Sequence, residues 1–92
     1  MEILNRIPKK NKHLAWRIVD QEAVIINLKK QPNDKEEIII LNPTATRIWQ
    51  LCNGRNSIKE IVQRLKAEYL EVIEKDVEKT LINLLNEKLI SL

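Results

Sequence analysis

The stretch Ile38-Ile39-Ile40-Leu41-Asn42-Pro43-Thr44-Ala45-Thr46-Arg47-Ile48-Trp49-Gln50-Leu51-Cys52-Asn53-Gly54 changes period at its middle. Four aliphatic residues open it, three of them β-branched, which suits a strand. Asn42 is a good helix N-cap, and Pro43 a good first helical residue because proline has no N–H to leave unsatisfied. Ala45, Ile48, Trp49 and Cys52 then fall at i, i+3, i+4 and i+7, one apolar helical stripe. Asn53-Gly54 ends it, the glycine being free to turn left-handed. The junction at Asn42 separates a β part of the chain from an α part.

Upstream, Ala15–Val19 and Ala23–Leu28 read as strands split by the hairpin-length Asp20-Gln21-Glu22. A basic loop, Lys29–Lys35, turns at Pro32-Asn33-Asp34, and Glu37–Leu41 is the third strand. Downstream, Ser57 and Glu60 form a capping-box pair ahead of the stripe Ile58, Ile61, Val62, Leu65 and Tyr69. A break is expected at Leu70–Ile73, where Val72 and Ile73 are poor helix formers. A third helix then runs from Glu74 to about Lys88, before the apolar end Leu89-Ile90-Ser91-Leu92. The expectation is an α+β domain: a three-stranded antiparallel sheet followed by three helices. Residues 1–14 form a basic N-terminal arm with Arg6, Lys9, Lys10 and Lys12, and residues 15–92 form the single domain.

Composition narrows the function classes. In 92 residues, 31 are Leu, Ile or Val, enough for a core but one that is marginal at this size. The net charge of +3 is weak for a nucleic-acid binder. It is also unevenly placed: residues 1–35 carry 8 basic and 4 acidic side chains (+4), residues 36–92 carry 8 and 9 (−1). The single histidine, His13, and the single cysteine, Cys52, make no metal set, and no cofactor is expected. Cys52 lies on an apolar helical face, where it reads as core filler rather than nucleophile. One glycine excludes a phosphate-binding loop. An enzyme is not expected. With no signal-peptide pattern and no long apolar run, a cytoplasmic protein without a membrane span is.

Two features carry surplus apolar surface. On the third helix, Val77, Leu81, Ile82, Leu84, Leu85 and Leu89 spread over about 160°, against roughly 100° for an ordinary surface helix. A helix wedged between layers explains this, and so does a groove lined by Ile82 and Leu89. On the third strand, four consecutive aliphatic residues send two side chains to each face. At a sheet edge such a strand invites either β-augmentation by a peptide or pairing with a second copy of the chain as a homodimer.

The stretch from Ile38 to Gly54 resembles the core of the PqqD family, the peptide chaperones of pyrroloquinoline quinone synthesis and their relatives. Ser57-Ile58-Lys59-Glu60-Ile61-Val62 is similar to that family's second helix, and Asp76-Val77-Glu78-Lys79-Thr80-Leu81-Ile82-Asn83-Leu84-Leu85 to its third. The likeness runs from about Trp16 to the C-terminus. It departs at Lys88, where the family often has glycine, and in the long loop Lys29–Lys35. The resemblance implies a winged-helix-like domain that binds the leader segment of a ribosomally made precursor peptide. In that family the leader adds as a strand against the third strand, beside the third helix. Carried over, the peptide-binding residues are Glu37, Ile38, Ile39, Ile40 and Leu41 with Glu78, Ile82, Leu85 and Leu89. The implied partners are the precursor peptide and a separate modifying enzyme: a radical SAM maturase, a cyclodehydratase or a leader peptidase. The competing class is a winged-helix DNA-binding regulator. The net-acidic helical half and the mixed charges Lys75, Asp76, Glu78 and Lys79 argue against nucleic acid as partner.

Overall fold

The computed structural model describes residues 3–27, 37–69, 71 and 74–92. The expected basic loop Lys29–Lys35, and Leu70, Val72 and Ile73 of the expected break, lie outside the described residues. After a 3-10 turn at Ile3–Asn5 come β1 (Lys9–Lys10), β2 (Leu14–Val19), β3 (Glu22–Asn27) and β4 (Ile38–Ile40). Three helices follow, α1 (Pro43–Leu51), α2 (Ile58–Glu68) and α3 (Glu74–Asn86), and then β5 (Ile90–Ser91). The expected three-stranded antiparallel sheet followed by three helices is present: β2, β3 and β4 pair in that order.

Local chemistry sets the boundaries. Asp20 and Gln21 both have positive φ, at 50° and 68°, the backbone of a two-residue hairpin whose twist matches its strands. Asn42 caps α1, its side chain accepting from the Ala45 N–H at 2.8 Å. Ser57 and Glu60 satisfy each other's backbone N–H groups in the expected capping box. These bonds pull the Glu60 carboxyl below its usual range.

The core gathers one face of every helix and the inner face of the sheet. Ala23 and Ile25 of β3 meet Ile48, Trp49 and Leu51 of α1, Ile58, Ile61, Val62 and Leu65 of α2, and Val77, Leu81 and Leu84 of α3. Tyr69, expected at the end of the second stripe, is 37% exposed because α2 stops at Glu68.

A second, two-stranded sheet was not expected. β1 pairs antiparallel with β5, Lys9 opposite Ser91 and Lys10 opposite Ile90. The arm is further held by the Ile58 N–H on the Arg6 carbonyl (2.9 Å) and the Gly54 N–H on the Pro8 carbonyl (3.0 Å). Gly54 has φ 78°, the left-handed conformation expected of it. Among the described residues, no helix is long and apolar enough to cross a membrane.

Candidate functional site

The hydrogen-bond parity of the sheet decides what β4 presents. Val24 lies opposite Ile40, Ile25 opposite Ile39 and Ile26 opposite Ile38, and the Leu41 N–H donates to the Ala23 carbonyl at 2.9 Å. Antiparallel pairs alternate between bonded and non-bonded. Ala23 with Leu41 and Ile25 with Ile39 are therefore the bonded pairs, while Ile38 and Ile40 turn their N–H and C=O groups to the open edge. Side chains alternate in step. Ile39 and Leu41 pack against the core, whereas Ile38 (60% exposed) and Ile40 (62%) lie on the outer face. Glu37, just ahead of the strand, is exposed. No residue from Ile38 to Leu41 is charged.

One side chain that sequence reasoning missed fixes this strand. Thr46, only 3% exposed, accepts the Ala23 N–H at 2.7 Å and donates to the Leu41 carbonyl at 3.2 Å. Its hydroxyl stands between two opposed backbone groups and stitches the β3–β4 ladder to α1. A signal was available, since Thr46 precedes Trp49 by three residues and shares its buried face.

On α3, Glu78, Ile82 and Leu85 fall at i, i+4 and i+7, beside the buried stripe of Val77, Leu81 and Leu84. Ile82 is 47% exposed, Glu78 is half-buried, and Leu85 packs on the same core as Ile39 and Leu41. Ile39 and Leu41 of the β4 end and Leu85 of α3 thus pack on one core, with Ile82 on the solvent side of the helix. Leu89 lies deeper than these: it is 2% exposed, inside the core itself. The expected wheel carried α3 through Lys88, but the helix ends at Asn86. The Lys88 N–H then bonds the Leu85 carbonyl (3.0 Å) and the Leu89 N–H the Leu84 carbonyl (2.9 Å), with Lys88 at φ 61°. This is a Schellman ending, and it turns Leu89 inward onto Leu84.

The remaining candidates have structural environments. Cys52 is fully buried, and burial pushes its thiol up to about 12, with the nearby Lys10 ammonium opposing. It stays a thiol at neutral pH. His13 is exposed, and among the described residues no group of three or more His, Cys, Asp or Glu is placed to hold a metal ion. Lys10 reaches under the sheet. Its Nζ donates to the carbonyls of Cys52 (3.1 Å) and Gln50 (3.5 Å), closing the C-terminal end of α1. The same ammonium lies 5.1 Å from the ring centroids of both Trp16 and Trp49, which meet edge-to-face at 5.7 Å. Burial lowers the Lys10 pKa. Trp16 remains 41% exposed.

Comparisons with known proteins give a family and solved structures of similar fold. The model described as coenzyme PQQ synthesis protein D (PqqD) matches residues 22–90. The PqqA binding protein of Methylococcus capsulatus strain Bath is 34% identical over 74 residues, 79% of this chain and 72% of the relative. The solved structure of TbiB1 in complex with the TbiA(beta) leader peptide superposes with a TM-score of 0.74 at 26% identity, covering 90% of this chain and 94% of that one. The heterocyclase TruD shares the fold, with a TM-score of 0.67 at 14% identity. That match covers 92% of this chain and 11% of TruD.

Proposed function

The chain belongs to the PqqD family, and on that premise we propose that it captures the leader segment of a ribosomally made precursor peptide as a fourth strand on β4. It then hands the peptide to a separate modifying enzyme, itself acting as a non-enzymatic module. The observation that carries this reading is the pair of outward backbone groups at Ile38 and Ile40 on an edge without a charged residue. A strand added there exchanges hydrogen bonds with both residues. It sets alternate side chains toward α3, where Ile82 and Leu85 stand. Backbone bonds suit a disordered ligand because they require no particular sequence, and the flanking helix supplies selectivity.

Two relatives support the reading by what they bind: the M. capsulatus protein is a PqqA binding protein, and TbiB1 was solved with a leader peptide. The modifying enzyme is a radical SAM maturase, a cyclodehydratase or a leader peptidase, and the module works in the cytoplasm. Within the proposed site Leu89 serves as a core anchor behind α3, while Glu37 and Glu78 flank the added strand.

The test is a pull-down from host lysate with the tagged protein as bait, read by mass spectrometry, beside an Ile40→Pro bait. The substitution removes an N–H that points to the open edge and leaves the bonds to β3 in place. A short precursor-like peptide is expected on the wild-type bait and lost from the variant. Equal capture by both baits, or recovery of duplex DNA in place of a peptide, overturns the reading.

A further inference from the structure

At one end of the sheet lies a cleft of about 470 Å³, formed where β1 and β5 approach the ends of β2 and β3. Lys9, Lys12, His13, Leu14, Asn27 and Lys88 line it. No Asp or Glu is among its described lining residues. Lys10 lines it too, but its ammonium is spent on the carbonyls of α1 and the two indoles. Lys9, Lys12 and Lys88 are exposed, and among the described residues no carboxylate pairs with any of them.

The backbone adds an independent observation. Lys88 holds φ 61°, the left-handed region where glycine carries no penalty and a lysine does. The Asn11 side chain donates to its carbonyl at 2.5 Å, and the Asn11 N–H to the Leu89 carbonyl at 3.0 Å, tying it to the lysine-rich turn. A strained position is thus occupied by a side chain that brings a third charge to the cleft. The location matters as well. Asn27 follows the residue opposite Ile38, so it marks the start of β4, and Lys88 lies two residues beyond the end of α3. Both elements flanking the proposed strand site end at this cleft.

We propose that the cleft binds an acidic segment of the precursor peptide next to the part that adds to β4, its Asp or Glu carboxylates meeting Lys9, Lys12 and Lys88. The assignment rests on the strand-addition reading and names the chemistry that selects among peptides equally able to form a strand. β4 offers backbone bonds to any extended chain; the lysines favour one bearing negative charge at this end and repel one bearing positive charge.

The probe is acetylated, amidated hexaglutamate, titrated into 15N-labelled full-length protein and followed by NMR. Shifts are expected at the amides of residues 9–13 and at Lys88, weakening as salt rises from about 0.05 to about 0.5 M. The decisive variant is Lys88→Gly, which removes one charge and relieves the left-handed backbone, so lost binding cannot reflect unfolding. Combined with Lys12→Glu, it is expected to weaken hexaglutamate by about tenfold, while Ile40→Pro leaves hexaglutamate binding intact. Absence of shifts at these amides overturns the proposal, as do equal shifts around Lys59, Lys66, Lys75 and Lys79. So do equal effects from inorganic phosphate or duplex DNA at matched charge. If hexaglutamate binds here but Ile40→Pro still captures the precursor, the strand reading falls and the anionic cleft stands.

Discussion

The two edges of the three-stranded sheet are built differently. The hairpin at Asp20-Gln21 closes on Val19 and Glu22 as a bonded pair. Counting back by twos, Val19, Arg17 and Ala15 bond to β3, while Ile18, Trp16 and Leu14 turn their backbone groups outward. On β2 the outward backbone belongs to residues whose side chains share the core face with Ala23 and Ile25, and Trp16 is fastened against Trp49 and Lys10. Its outer face carries the charge of Arg17. On β4 the outward backbone belongs to Ile38 and Ile40, whose side chains face away from the core, and no charge interrupts the run. A charge on an edge strand discourages pairing. One edge is guarded and the other left open, and the proposed strand addition takes the open one.

Four measurements test that contrast. The largest effect is expected of Ile40→Pro: affinity for the recovered precursor, measured by calorimetry, falls about a hundredfold, ~2.7 kcal/mol, with circular dichroism unchanged. Thr46→Val comes next. It leaves the Ala23 N–H buried without its acceptor, and urea unfolding is expected to show a loss of about 2 kcal/mol. Protection of β4 amides from hydrogen exchange should fall with it. Lys10→Met removes the cation from between two indoles and two carbonyls, a loss of about 1 kcal/mol by the same unfolding measurement. It should also loosen Trp16, seen as faster fluorescence quenching by iodide. The smallest effect is expected of Ile18→Pro, which removes an outward N–H from the guarded edge: precursor affinity stays within about twofold of wild type. An Ile18→Pro loss as large as that of Ile40→Pro would erase the distinction between the edges.

The sequence made much of this legible because the relevant signals are local. Asn42, Pro43, Ser57, Glu60 and the Asp20-Gln21-Glu22 connection act over two to four residues, so they mark boundaries wherever the chain folds, although Glu22 proves to be the first residue of β3. The strand at Ile38–Ile40 betrayed itself by surplus apolar surface, and its parity followed only from the register with β3. What escaped was non-local or disguised. β1 and β5 are two residues each, too short for any period, and they pair Lys9 with Ser91 from opposite ends of the chain. Lys10 reads as one more charge in a basic arm, although its aliphatic stem and ammonium are built into the structure. Leu89 was misplaced because a helical wheel continues until something stops it. The stop here is a lysine at φ 61° rather than the glycine that would have announced it.

The β1–β5 pairing brings together residues from far apart in the sequence, which bears on where a probe can be attached. Lys9 lies against Ser91, and an Arg6 guanidinium nitrogen sits 3.5 Å from the Leu92 carbonyl, so residues 6–10 and 90–92 run side by side. A spin label on Lys9 or on Ser91 would therefore report on the same two-stranded sheet. The label would leave the outward groups of Ile38 and Ile40 alone, since the two sheets share no strand.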